Sequence, residues 1–318
     1  MSTAVVYHKQ LGDTLLLQPA LARLAAQDHE PVTLYTLPGH RPLVELMPGV
    51  QWGERAGYFA SAFKRVVALD QGSQSLLKSL RLRARHRLLL TRAEVYIRWY
   101  HRLLFHACRS ENLNDIYVAR FYFDAVGGAA SDTFTSPKLH APPPEWVQPE
   151  ISATNAVIIN PASGWERKSW TVEGWRSVIR SVLAMDLGPV FVSSGTSEWH
   201  QRMGREICEG FPASQVRNLA GQTTLRGFLA LLARATITLT VDGAASHISQ
   251  AFGRPTVVLF GPSKTRMWHY ETPQNRAIHA SEFSTEALPP TALIPPERII
   301  DEMQLVLASP TKQQIRED

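Results

Sequence analysis

The stretch TITLTVDGAASHISQAFGRPTVVLFGP, Thr236 to Pro262, reads as strand, tight turn, helix, loop and second strand. Thr236 to Val241 alternate and are β-branched, which suits a pleated, half-buried segment. Asp242, Gly243 and Ala244 interrupt the pattern, and small residues there let a ligand approach the backbone closely. A helix over His247 to Phe252 follows, closed by Gly253 and the Arg254-Pro255 pair. Thr256 to Phe260 are almost wholly apolar, as in a strand covered on both faces of a parallel sheet. This order puts a helix N-terminus at the carboxyl end of a strand, flanked by an acid and a histidine. Its unpaired N–H groups and positive dipole end favour an anionic ligand. Any crossover with an aspartate cap shares that signature, so function has to be argued from the rest of the chain.

Working outward, the same alternation recurs on both sides. Ala4–Tyr7, Val32–Tyr35 and Val66–Leu69 read as strands in the first half, and Val157–Asn160 and Val190–Ser194 in the second. Helices are expected over Thr14–Ala26, Arg41–Met47, Val172–Met185, Trp199–Glu209, Thr224–Ala233 and Glu297–Ala308. Gly12 is expected in a sharp turn, Asp13 as the cap of the first helix, and Pro19 as a kink in it. Ser73–Val126 reads as helical, with breaks that the sequence does not place, ended by Gly127-Gly128. Glu271–Pro296 reads as irregular and Pro310–Asp318 as a polar tail. Ser136–Pro149 carries five prolines, which makes an extended interdomain linker. The expected fold is therefore α/β with two doubly wound parallel-sheet domains, residues 1–140 and 150–318, joined through 136–149. The last helix is left free to pack back toward the first domain. In such sheets ligands bind beyond the carboxyl ends of the strands, so the site is expected in a central cleft between the domains.

Composition narrows the class. The 318 residues are 44% apolar and 19% charged, ordinary for a water-soluble fold of two domains. No run approaches the roughly 20 apolar residues of a membrane helix, and MSTAVVYHKQ lacks the features of a signal peptide. Cys108 and Cys208 match no metal or redox spacing, which points to a reducing, cytoplasmic compartment. Net charge is +5, yet Lys78 to Arg109 alone hold nine Lys/Arg against one acid, Glu94, so the remainder is net negative. That segment also carries Tyr96, Trp99, Tyr100, Phe105 and three histidines. Such a mixture suits an anionic membrane surface or an anionic substrate, and no nucleic-acid motif accompanies it.

Three places outside the opening stretch can carry chemistry. In Asn160–Trp170, NPASGWERKSW, Ser163 and Gly164 offer a hydroxyl and bare N–H groups and Lys168 a positive charge, a combination that suits a diphosphate. The spacing is neither a P-loop nor a G-x-G-x-x-G turn. Glu198, beyond another strand end, can hold a ribose hydroxyl pair or simply favour a helix dipole. Asp13 can serve as a general base or as a cap. Asp242 and His247 stand five apart with no third ligand, so no metal site and no bound cofactor is expected.

These residues resemble the ADP-heptose:lipopolysaccharide heptosyltransferase family, glycosyltransferase family 9. The resemblance rests on the Gly12-Asp13 pair before an apolar run with Pro19, and on the small-residue turn before Lys168-Ser169-Trp170. It rests also on Asn218–Leu225, NLAGQTTL, and on the Asp242-to-His247 turn before the strand ending Phe260-Gly261-Pro262. It implies the GT-B fold and an inverting transfer of heptose from ADP-heptose to an anionic lipopolysaccharide-type acceptor. It implies Asp13 as the base, Lys168 with Ser163 at the pyrophosphate, Glu198 at the ribose and Thr223 near the base of the nucleotide. Asp242 is implied at the heptose, and Gly243, Ala244 and His247 at the diphosphate. The basic segment then becomes an acceptor-binding or inner-membrane-facing surface, with Arg83, Arg87 and Arg120 as its candidate contacts. One departure stands out: the family usually has D-[ST]-G before its histidine, where this chain has Asp242-Gly243-Ala244. A non-catalytic paralogue that binds nucleotide-sugar, and a nucleotide-sugar 2-epimerase, share the scaffold.

Overall fold

The structure, a computed structural model, describes residues 2–54, 62–92, 96–113, 115–129, 131–148 and 155–309. The polar tail expected at 310–318 lies outside them. The chain divides into two compact units, Met1–His140 and Ala141–Asp318.

In the first unit the order is β1 (Thr3–Val6), α1 (Leu11–Leu16), α2 (Gln18–Asp28), β2 (Val32–Tyr35), α3 (Arg41–Glu45) and β3 (Val50–Trp52). It continues with β4 (Ala62–Ala68), α4 (Ser73–Arg81), β5 (Arg83–Arg92), α5 (Trp99–Leu104), β6 (Ala107–Glu111) and α6 (Val118–Ala125). The six strands form one parallel sheet ordered β3-β2-β1-β4-β5-β6, in which Val5 pairs with Leu34 and Val67, and Leu89 with Cys108. β1 and β2 are buried along their whole length, as central strands with both faces covered must be.

Two expectations are corrected here, and the one for Pro19 is met. Ser73–Val126 is not continuous helix, because β5 and β6 interrupt it. Arginine and leucine are good helix formers, but a preference of tenths of a kcal/mol per residue yields to a strand place between β4 and β6 that buries Leu89 and Leu90. The first helix starts at Leu11, so Gly12 is helical and Asp13 lies in the first turn, with Gln10 at the cap. Pro19 does break the helix: the backbone restarts at α2 with the proline in its first turn, where the missing N–H is harmless.

The second unit runs β7 (Val157–Asn160), α7 (Val172–Ala184), β8 (Val190–Val192), α8 (Glu198–Cys208), β9 (Val216–Asn218) and α9 (Leu225–Ala233). After these come β10 (Ile237–Val241), α10 (Ala244–Ala251), β11 (Thr256–Phe260), α11 (Thr265–Trp268), β12 (Asn275–His279) and α12 (Pro296–Ala308). Its parallel sheet is ordered β12-β11-β10-β7-β8-β9. β9 and β12 were not expected, and β12 lies inside the segment read as irregular. α10 begins at Ala244, one turn earlier than the sequence reading, because Gly243 rather than a later residue takes the cap. α12 packs through Ile299, Met303 and Val306 into the core of its own unit, with Trp175, Val178 and Ile179 of α7. Trp175 is fully buried and its ring stands edge-on to Trp170, 5.0 Å away. A side chain at Gly174 would collide with Trp170, so that glycine sets how closely the α7 N-terminus meets the loop before it.

The proline-rich stretch is less free than a linker composition suggests. The Lys138 amide donates to Gln18 Oε1 and the His140 amide to the Leu46 carbonyl, within the first unit. Trp146, in a single turn over Pro144–Trp146, is buried in the second, with the Arg226 guanidinium 5.2 Å from its ring.

Candidate active site

The second unit gathers its candidate residues at the carboxyl ends of four neighbouring strands, β11, β10, β7 and β8. Lys168, from the loop after β7, places Nζ 2.6 Å from Asp242 Oδ2 at the end of β10. Ser263, immediately after the Gly261-Pro262 pair that follows β11, donates its hydroxyl to the same oxygen at 2.7 Å. Asp242 is 4% exposed, so this carboxylate is desolvated and held by two donors. The Lys168 ammonium also sits 5.2 Å from the Trp165 ring.

The loop carrying Ser163 is fixed from several sides. The Trp165 amide donates to Ser163 Oγ at 3.3 Å, and His200 Nε2 donates to the Ser163 carbonyl at 3.0 Å. Gly243, the cap of α10, lies so close that an added Cβ would come within 3.3 Å of Ser163 Cβ. The departure at residue 243 thus has a local reason: a glycine there lets the Ser163 loop lie against the start of α10. Ser246, in the first turn of that helix, donates back to the Gly243 carbonyl. His247 is buried, and burial pushes its imidazole down to about 4, with Asp242 pulling the other way and His269 and Lys168 adding to the fall. It is therefore neutral at pH 7, and its Nδ1 is buried with no hydrogen-bond partner.

Thus Ser163, Lys168, Asp242, Gly243, Ala244 and His247 converge. Glu198 is exposed at the first position of α8, and Thr223 is half-buried beside Thr224, which caps α9 through the Gly227 amide. Both lie beyond strand ends of the same sheet, after β8 and β9, toward the edge away from Asp242. Ser263 was missed; the only signal for it was a serine closely following the Gly-Pro pair. Among the described residues no three His, Cys, Asp or Glu side chains cluster as a metal ion would need.

In the first unit Asp13 lines a cavity of about 460 Å³ together with Tyr7, Lys9, Asp70, Thr91, Arg92 and Tyr122, again at the carboxyl ends of strands. The Tyr7 and Tyr122 rings stand edge-on 6.0 Å apart with their hydroxyls 3.5 Å from one another. Burial pushes the Tyr7 phenol well up, and the charges of Tyr122 and Asp13 push it further. Arg92 hydrogen-bonds Tyr122 and is drawn electrostatically to Asp13. A part-buried relay leads to Asp70 in the cavity wall. Lys78 donates to His8 Nε2, leaving the proton on Nδ1 to reach Ser75 Oγ at 2.8 Å, and Ser75 donates to Asp70 at 2.6 Å. Asp70 also accepts the His8 and Gly72 amides, which ties the loops after β1 and β4 together. Burial and then Lys78 push His8 down to about 4, consistent with a neutral ring in that relay.

The structure does not bring the three arginines named from sequence to this cavity. Arg83 opens β5, nine residues before Arg92, so the two lie roughly 30 Å apart along the strand. Arg87 donates to the Leu82 carbonyl at 2.9 Å, and Arg120 pairs with Asp124 on the surface of α6. Arg92, the last residue of β5 and part of the same basic segment, lines the cavity.

Comparison with known proteins identifies the family and the fold. The model of glycosyltransferase family 9 (heptosyltransferase) matches residues 119–290. The chain is 26% identical over 106 residues to the lipopolysaccharide core heptosyltransferase OpsX of Haemophilus influenzae, covering 33% of this chain and 29% of that protein. It is 30% identical over 114 residues to lipopolysaccharide heptosyltransferase 3 of Escherichia coli, 36% and 33% of the two chains. The match therefore spans about a third of the length of these curated relatives. Among solved structures, the family 9 glycosyl transferase of Veillonella parvula superposes with a TM-score of 0.80 at 15% identity, over 96% of this chain and 97% of that one. E. coli ADP-heptose lps heptosyltransferase II gives 0.75 at 20% identity, over 96% and 98%. These two share the fold, two parallel sheets with helices, of the GT-B type. Since the family model covers more than half of its residues, the chain belongs to glycosyltransferase family 9, the heptosyltransferases.

Proposed function

We propose that the chain is an inverting glycosyltransferase that moves heptose from ADP-heptose onto an anionic lipopolysaccharide-core or related glycan acceptor in the cytoplasm. The observation that carries this reading is the Lys168–Asp242 pair at the N-terminus of α10. A lysine and a helix terminus together make a diphosphate cradle. A similar fold, that of E. coli WaaC, has been solved with ADP-2-deoxy-2-fluoro heptose. The donor's diphosphate draws Lys168 away from Asp242, whose carboxylate then accepts hydroxyls of the sugar. Glu198 and Thr223 take the ribose and the nucleotide base.

Asp13 accepts the proton of the acceptor hydroxyl as its oxygen bonds to the anomeric carbon from the face opposite the diphosphate. The bond to the diphosphate breaks in the same step, and the charge left on ADP is met by Lys168 and the first N–H groups of α10. In this reading they do the work a divalent cation performs elsewhere, so chelation leaves turnover unchanged. Lys9 and Arg92 face the acceptor's anionic groups.

Thermal denaturation in the presence of ADP-, UDP- and GDP-sugars tests the donor assignment, since a ligand of the native state raises its stability. ADP-heptose is expected to raise Tm most. A larger shift with a UDP- or GDP-sugar would contradict the assignment. Conversion of the donor without any acceptor would instead indicate an epimerase.

A further inference from the structure

A short helix in the first unit exposes more apolar surface than any water-facing role explains. Trp99 and Leu103 on α5 are 74% and 75% exposed, and Tyr96 just before it is 80% exposed. Trp99 and Leu103 are one helical turn apart, with exposed Arg102 between them and exposed Arg98 at the cap. The opposite side holds the helix in place: His101 is buried, and Phe105 packs with Ala68 and Leu89 under the sheet. The apolar side chains therefore stand on a fixed support.

We infer that α5 docks on an anionic lipid surface, with Trp99, Leu103 and Tyr96 entering the interfacial layer and Arg98 and Arg102 pairing with its headgroups. Charge complementarity selects this occupant. Arg81, Arg83, Arg85 and Arg109 of the flanking elements are exposed as well, and the segment 78–109 contains a single acid. A basic surface bearing a tryptophan and leucines matches an interfacial layer, where indole rings settle and cations meet phosphate. A nucleic acid would use the cations and the aromatic rings but has no place for Leu103 and Leu104. Among the described residues no helix is long and apolar enough to cross a membrane, so the contact is peripheral. α5 also starts seven residues after Arg92, which lines the Asp13 cavity, so the chain keeps the first residue of the helix within about 25 Å of that arginine. For a lipid-linked acceptor, a point that rests on the proposed transfer, this shortens the path to Asp13.

The test is sedimentation of the full chain with phosphatidylcholine vesicles with and without about 30% phosphatidylglycerol, at low and high salt. Wild type is expected to bind the anionic vesicles, with a blue shift of tryptophan emission, and the neutral ones far less. Trp99→Gln with Leu103→Gln should weaken binding at least about tenfold and abolish the blue shift. Arg98→Glu with Arg102→Glu should weaken it comparably and reduce its salt dependence. Both pairs lie on the surface, and unchanged circular-dichroism melting confirms that they fold. Vesicle binding equal to wild type in both variants would overturn the inference. So would wild type that ignores anionic vesicles, or that binds a single-stranded oligonucleotide through these residues instead. Because vesicle binding is read without turnover, failure of the transfer reaction on a delipidated acceptor would count against the proposed function and leave the docking result standing.

Discussion

In the second unit Lys168, Asp242 and Ser263 close on one another within 2.7 Å, whereas in the first unit Asp13 borders an open cavity of about 460 Å³. The closed cluster is assembled from strand-turn-helix segments whose chemistry sits in a few adjacent residues: Ser163 to Lys168, Asp242 to His247. The cavity is assembled from Tyr7, Lys9, Asp13, Asp70, Arg92 and Tyr122, which only the strand order brings together. A diphosphate is a constant ligand that a short motif can cradle. An acceptor demands a shaped cavity with a base at its wall, and residues spread over more than a hundred positions can supply it in many ways.

The largest expected effect breaks the comparison at its open half. Asp13→Ala should lower turnover by roughly 10²–10⁴-fold, the range of a positioned general base. Turnover within about twofold of wild type, measured with saturating donor and acceptor, would remove Asp13 from the chemistry. Next is a stability effect confined to the closed half. Trp175→Ala should destabilise the second unit by about 3–5 kcal/mol, since a fully buried indole leaves a large void. Hydrogen exchange should quicken at the amides of β7 and β8 and stay slow at those of β1 and β4.

A smaller effect concerns acid. His8 and His40 in the first unit and His247 in the second are each pushed down to about 4, in every case chiefly by burial. An unfolded histidine titrates near 6.5, so between about 4 and 6.5 the unfolded chain binds more protons than the folded one. Stability is therefore full above pH 6.5 and lost as pH falls toward 4. His247→Asn, which cannot take up that proton, should flatten the loss in the second unit; an unchanged pH profile in urea melts would refute the burial argument.

The sequence makes the closed half legible and the open half only partly so. Val157–Asn160 and Thr256–Phe260 are strands at the boundaries their β-branched, apolar runs announce. Asp242 can be named because it directly follows its strand, and Lys168 because it stands in the polar loop between Val157–Asn160 and the next helix. Asp13 is legible as a candidate base, but its place as a cap is not met, since the apolar run at Thr14 hides a helix that already starts at Leu11. Arg92 could not be singled out. RARHRLLLTR looks helical by propensity, and only pairing with β4 and β6 makes it a strand whose last residue reaches the cavity. Arg83 and Arg87, named from the charge of the basic segment, stand at the start and in the middle of that strand. Ser263 was hidden by its setting in a Gly-Pro turn, where a serine is ordinary.

The division of labour between the units is tested most directly by calorimetric titration of ADP into the Lys168→Ala and Asp13→Ala proteins. Lys168→Ala should weaken ADP binding at least about tenfold, the loss of one charge-assisted contact to phosphate, while Asp13→Ala binds ADP as wild type does. Unchanged affinity in Lys168→Ala, or an equal loss in Asp13→Ala, would contradict it.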